Sequence, residues 1–218
     1  MTEVSADQTS DGQNGNVITC ETSAPVNAVW NIGGKDFIGN AATKKMKLGE
    51  HDVTLMALCA DGTFMTANYK VKCEVTTDPL KRTYIFGDPA KGEAPVTLNQ
   101  GDAAAGRFSD NEGKGLPYLS DDVYWGFKEL VFDISQADPS DGGIWGEPAG
   151  PVMLRIMNGW WGATYADEVI IDKTGLWELQ LTEEIAKDCA RGNGGEGKDL
   201  DLLVRRGTLT INSVYYEE

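Results

Sequence analysis

The chain has 218 residues, with 19 basic against 34 acidic side chains and a formal net charge of −15. That balance repels nucleic-acid backbones and anionic membrane surfaces, so neither is expected as a partner. The length suits one large or two modest domains, and no apolar run approaches the roughly 18 residues of a membrane-spanning helix.

Residues 1–15 are polar and rich in turn formers, and they read as a disordered leader without a signal-type apolar run. An exported form would have had its signal removed. Short strands are predicted at 17–20 and 28–32, the second carrying Trp30, with turns at Pro25 and at Gly33-Gly34. A Lys-rich piece runs to Lys47. A strand follows at 51–60, Asp61-Gly62 supplies a hairpin turn, and 63–75 alternates through Phe64, Tyr69, Val71, Cys73 and Val75. Many short strands at this spacing describe a small Ig-like sandwich over residues 16–77. Trp30 beside a Gly-rich turn, the 48–55 run LGEHDVTL and Asp61-Gly62 together resemble the PKD (polycystic kidney disease) repeat. His51 stands where that family carries an aromatic residue. The resemblance implies a spacer and not a binding site.

The stretch 76–82 (TTDPLKR) holds a composition shift and Pro79, and is expected to act as a hinge. Beyond it, strands are predicted at 82–86, 94–98, 129–134, 152–157, 168–171, 177–181, 200–205 and 208–215. Loops rich in Gly, Asp and Pro separate them, so residues 78–218 are expected to form a larger β-sandwich of jelly-roll type, and the whole chain to be all-β. One short helix is predicted after Thr182, a suitable N-cap, with Glu183 and Glu184 in its first turn, Arg191 in its last and Gly192 as its stop.

Most catalytic schemes are excluded. The single histidine, His51, lies in the spacer-like half, which removes Ser-His-Asp and Cys-His machinery from the second domain. Phosphate-binding glycine loops are absent. Cys20, Cys59, Cys73 and Cys189 contain no C-x-x-C pair, so a zinc site is not expected; at most one disulfide could form in the N-terminal third. Carboxylates abound, which keeps a polysaccharide hydrolase or lyase as an alternative. No cofactor is expected. The aspartates Asp110, Asp121, Asp122, Asp138 and Asp141 read as solvated turn residues, with a structural Ca²⁺ as the alternative.

The densest constellation is Asn158-Gly159-Trp160-Trp161-Gly162-Ala163-Thr164-Tyr165, at the end of an apolar strand. Adjacent tryptophans in extended chain point to opposite sides, so one of Trp160 and Trp161 should face outward between glycines. An open indole suits the C–H face of a sugar ring, with Asn158, Arg155, Tyr165 and Asp167 as a polar rim. Trp145, in a Gly-rich loop, is a second candidate platform, and Trp125 a third. Trp177 alternates with Leu179 and Leu181 and is expected in the core, as is Trp30. Arg205-Arg206 before Gly207 reads as a hairpin corner, with donors to sugar hydroxyls as the alternative.

A PKD-like module followed by a Trp-bearing sandwich resembles the surface glycan-binding lipoproteins that accompany outer-membrane glycan importers. The resemblance rests mainly on Asn158 to Tyr165, on 177–190 and on 207–216. It implies non-catalytic binding of a polysaccharide or oligosaccharide (a β-linked glucan or mannan) at the outer-membrane surface, by a lipid-anchored protein partnered with an importer. A protein-binding surface adhesin is the rival reading.

Overall fold

The computed structural model describes residues 1–101, 106–109, 119, 121–126, 129–159, 162–192 and 194–218. The protein is all-β, with two compact units, residues 1–81 with 217–218 and residues 82–216.

In the first unit, β1 (Thr2–Gln8), β2 (Asn14–Thr22) and β5 (Ala41–Lys45) form one antiparallel sheet in the order β1-β2-β5. The strands β3 (Val26–Ile32), β4 (Lys35–Ile38), β6 (Gly49–Cys59) and β7 (Phe64–Cys73) form a second in the order β4-β3-β6-β7. Period-two alternation turns Ala28, Trp30 and Ile32 inward while Asn27 and Asn31 face out. Their inner side chains meet Ile18, Cys20 and Ala42 of the opposing sheet, with Val53, Leu55 and Val71 completing the core. Gly33 and Gly34, both at positive φ (55° and 82°), close the β3–β4 hairpin as the primed turn that L-residues resist.

One expectation fails in this unit. The leader is not disordered: residues 2–8 pair with β2, because Val4 and Ala6 recur at strand spacing and settle against the core. The stretch 76–82, expected as a hinge, contains the division between the two units, at Lys81 and Arg82, and is fastened at its start. Buried Asn16 donates from Nδ2 to the Met46 and Asp78 carbonyls (3.2 and 2.8 Å), and its Oδ1 accepts from Thr77 N, Thr77 Oγ1 and Asp78 N at 2.8, 3.0 and 2.9 Å. Lys45 adds an ion pair to Asp78 at 2.6 Å. Lys81 and Glu218 exchange backbone hydrogen bonds at 2.9 and 3.0 Å. All four cysteines are free thiols.

The second unit contains β8 (Arg82–Phe86), β9 (Val96–Asn99), β10 (Arg107–Phe108), α1 (Asp121–Gly126), β11 (Glu129–Gly143), β12 (Pro148–Gly150), β13 (Val152–Asn158), β14 (Thr164–Ile171), β15 (Gly175–Gln180), α2 (Glu183–Cys189) and β16 (Leu200–Glu217). The long strand β16 is the hub, pairing with β8, β9, β10, β11 and β13. In turn β11 carries β12 and β15, and β13 carries β14. Inward residues of these strands, among them Phe132, Ile134, Leu154, Ile156, Leu202, Val204, Leu209 and Ile211, form the core. Trp177 packs on Phe132 with ring centroids 5.1 Å apart, and Trp30 is fully buried, as their alternation predicts.

The predicted corner at Arg205-Arg206-Gly207 does not exist; the two strands expected there are one. Gly207 stays in the strand at φ 86°, and a Cβ on it would lie 2.4 Å from the Asp138 carbonyl oxygen, so only glycine fits. Helix α2 has the expected N-cap, Thr182 Oγ1 accepting from Ile185 N at 3.2 Å. It stops at extended Ala190 instead of Gly192.

Candidate functional site

The strand β13 presents two faces. Leu154, Ile156 and Asn158 turn toward the core side, and Arg155 projects from the opposite side between its two neighbours. Each neighbour is irregular beside it. On β16 the register passes from Arg206, opposite Met153, to Val204, opposite Leu154, which leaves Arg205 as an extra residue. On β14 it passes from Val169 to Ala166 across Leu154 and Ile156, leaving Asp167 and Glu168 both opposite Arg155. Glu168 holds φ 58°, the one non-glycine residue described at positive φ. β-Bulges of this kind re-aim side chains and are common beside functional sites.

The re-aimed groups meet. The guanidinium of Arg205, which is 8 % exposed, is ion-paired to Asp167 through Nη1 and to Glu147 through Nη2, and its Nε donates to Glu147 Oε1 at 2.7 Å. Glu147 lies in the turn joining β11 to β12. Its Oε2 accepts from the backbone N–H of Trp145 at 2.9 Å. The turn is closed by Gly143 N to Glu147 O (3.0 Å) and tied to β16 by Ile144 N to Arg205 O (2.9 Å). A Cβ on Gly143 would come 2.2 Å from the Glu147 carboxylate, so a larger residue there would displace that side chain. The Trp145 ring receives two cations: Arg205 lies 4.5 Å and Arg155 5.3 Å from its centroid. Arg155 also donates to Thr164 Oγ1 from Nε (3.0 Å) and Nη2 (2.6 Å). Even so, Trp145 remains 43 % exposed.

Burial alone would raise the Glu147 carboxyl. Hydrogen bonds from the Trp145 and Glu147 N–H groups and the Arg205 charge outweigh it and hold it below its ordinary value. A glycosidase general acid requires the opposite shift. This carboxylate is fitted to hold a cation and an amide, not to deliver a proton.

The residues expected to form the site separate into three groups. Trp145 and Arg155 come together, and Asp167 joins them through Arg205. Asn158 is corrected, since it is too buried to form a rim, and half-buried Tyr165 turns its hydroxyl toward Asp188. Asn158 is fully buried, donating to Asp188 Oδ2 at 2.9 Å and accepting from Ala163 N at 2.8 Å, while the Tyr165 hydroxyl donates to the same Asp188 oxygen at 2.8 Å. Burial, reinforced by Cys189 and Asp188, drives the Tyr165 phenol far above its ordinary range. Even spacing along β13 and β14 could not reveal that these two side chains share an internal acceptor. Trp160 and Trp161 lie outside the described residues. Trp125, on α1, is 40 % exposed beside buried Tyr124, and no described contact joins it to Trp145.

Sequence reasoning treated Arg205 as a corner and passed over Glu147; the signal available was the pair of glycines at 142 and 143 followed by an acid. It also missed the buried pair of Arg107 and Asp201, 3 % and 0 % exposed. Among the described residues no group of three or more His, Cys, Asp or Glu converges to hold a metal. Of the aspartates weighed for Ca²⁺, Asp110 and the Asp122 side chain lie outside the described residues, Asp121 accepts from Arg191 N and Asp138 from Gln136. A groove of about 480 Å³ in the first unit, lined by Met1, Glu3, Glu21, Thr22, Ser23, Asn40 and Ala41, has no aromatic ring on which a sugar could stack.

No protein-family model matches the chain, and no curated protein does. Among solved structures it is similar to SGBP-B of the Bacteroides ovatus mixed-linkage glucan utilization locus, in complex with a mixed-linkage heptasaccharide. The identity is 15 %, over 92 % of this chain and 49 % of that one, with a TM-score of 0.30. The chain thus spans about half the length of that protein. It is also similar to a carbohydrate-binding module of the β-sandwich superfamily, at 12 % identity, over 100 % of this chain and 97 % of that one, with a TM-score of 0.29. Overlaps this loose identify neither a shared fold nor a shared activity.

Proposed function

We propose that the protein is a non-catalytic glycan-binding protein whose second unit stacks a sugar ring on Trp145, with Arg155 donating to sugar hydroxyls beside it. The observation that carries the reading is a tryptophan left 43 % open on a hydrogen-bonded turn. A large apolar ring in water gains by being covered, and a pyranose offers an apolar C–H face rimmed by hydroxyls. Two bulged strands beneath it favour a built site over a stray surface residue.

On this reading the first unit is a PKD-like spacer that presents the second. Trp160 and Trp161 are candidate platforms on the sequence alone, and Trp125 provides a further ring. The protein works at the outer-membrane surface, lipid-anchored and partnered with a glycan importer, and it needs no cofactor. With its carboxyl depressed, Glu147 is not poised as a glycosidase general acid.

The test is a panel of soluble plant and microbial polysaccharides cast into native gels, paired with a reducing-sugar assay. Retardation by at least one glycan, unchanged by EDTA and without sugar release, is the expected result. Free migration through the whole panel refutes glycan binding, and release of reducing ends refutes the non-catalytic reading.

A further inference from the structure

We infer that Glu147 and Arg205 are positioning residues that fix the Trp145 indole in its binding orientation; the inference rests on Trp145 being the platform. Three observations carry it. One carboxylate, with only 7 % of its side chain exposed, bonds the Trp145 amide through one oxygen and Arg205 through the other. The guanidinium thus held lies 4.5 Å from the ring centroid and is itself nine-tenths buried. Asp167 grips the same guanidinium from β14. Backbone, ring and support therefore form one closed circuit: amide to carboxylate, carboxylate to guanidinium, guanidinium to ring.

The circuit bears on binding because an exposed tryptophan on a turn would otherwise sample several rotamers, and a ligand would have to freeze them. Holding the ring beforehand removes that cost from association. The planar fork of arginine is what allows it to meet two carboxylates while lying against a ring; a lysine ammonium is a point charge and cannot do both. Glu147 and Arg205 touch no ligand in this scheme. They act through Trp145.

The experiment uses Glu147→Gln, which keeps shape and removes charge, and Arg205→Lys, which keeps charge and removes the fork. Hydroxyethyl cellulose and a galactomannan serve as β-glucan and mannan probes. Protein labelled with 5-fluorotryptophan gives a fluorine signal for Trp145, assigned by its absence in Trp145→Phe. Both variants are expected to shift or broaden that signal without any glycan present, and to weaken retardation by about three- to ten-fold, the loss of one preordered side chain. An unaltered Trp145 signal with wild-type retardation in both variants overturns the inference. If Glu147→Gln does not fold, Asp167→Asn, which frees Arg205 from its more exposed partner, must disturb the Trp145 signal or the inference fails. Trp145→Ala separates the two levels. Wild-type retardation in Trp145→Ala defeats the platform itself, whereas abolished retardation in Trp145→Ala with intact binding in the other variants defeats only the positioning role.

Discussion

Replacing Trp145 by alanine removes the platform while leaving the sheet beneath it intact. The residue is 43 % exposed; on a tryptophan offering about 250 Å² of surface, roughly 100 Å² is available to a sugar face. Covering that area at about 25 cal/mol per Å² contributes roughly 2.5 kcal/mol, or about 60-fold in Kd, an upper figure for complete coverage. The folded state loses much less. Arg205 keeps Glu147 and Asp167, so no buried charge is left unpaired. The lost cation–π contacts cost about 0.5–2 kcal/mol, which in a unit of this size lowers the melting temperature by about 2–8 °C. The assay pairs retardation in a polysaccharide gel with thermal unfolding of the same preparation. Binding should fall by more than an order of magnitude while unfolding stays cooperative and close to wild type. Wild-type retardation at an unchanged melting temperature would show that the ring is idle, and the platform argument would fall with it.

Three further outcomes concern the frame of the molecule. Asp201→Ala should destabilise the second unit by about 1.5–3 kcal/mol, because it removes a charged partner of the buried Arg107 guanidinium, and Asp201→Leu combined with Arg107→Met should recover much of that loss in chemical denaturation. Asn16→Ala strips the partners from Thr77 N and Asp78 N; trypsin should then cut at Lys81 and Arg82 faster than in wild type under native conditions, and unchanged cleavage would show that Asn16 does not hold the segment. Burial pushes the Cys20 and Cys189 thiols up to about 11 and raises Cys73, so these groups are protonated and shielded at pH 8. A thiol-specific reagent should modify half-buried Cys59 first, and the other three only on unfolding.

Much of the frame was legible because period-two alternation survives wherever a strand is regular. The β3 and β6 alternation, the Gly33-Gly34 and Asp61-Gly62 turns and the Thr182 cap are each set by residues within a few positions of one another. The leader was misread because Val4 and Ala6 are two apolar residues in a polar stretch, and only the core they meet makes them a strand. The segment from Ala137 to Gly143 was read as a loop because Pro139, Asp141 and Gly142 are turn formers. It continues β11 by tolerating a register shift between Asp138 and Gly143. The site was legible only in part for the same reason. Trp145 stood out as a ring among glycines, but its support comes from Arg205 on β16 and Asp167 on β14, far away in sequence and brought together by pairing that no local pattern announces.

The position of the platform follows from the arrangement of β16. A strand paired with five others is enclosed along most of its length, as the burial of Leu200, Leu202, Val204, Leu209 and Ile211 shows. The turn between β11 and β12 lies beyond that enclosed strand, and there Trp145 is left open. Reaching it from the sheet requires side chains that leave the regular pleat. Arg205 does so at a bulge, and Asp167 does so beside Glu168, whose left-handed backbone costs of order 1 kcal/mol. Regular pairing would carry Arg205 and Asp167 along the pleat and leave Trp145 without its nearer cation. Two irregularities flank one strand, one aiming Arg205 at the exposed indole and the other aiming Asp167 at Arg205, so both converge on a single support. The strain lies where the ring is held, which is why the indole, and not the groove of the first unit without an aromatic ring, is the place to look for a ligand.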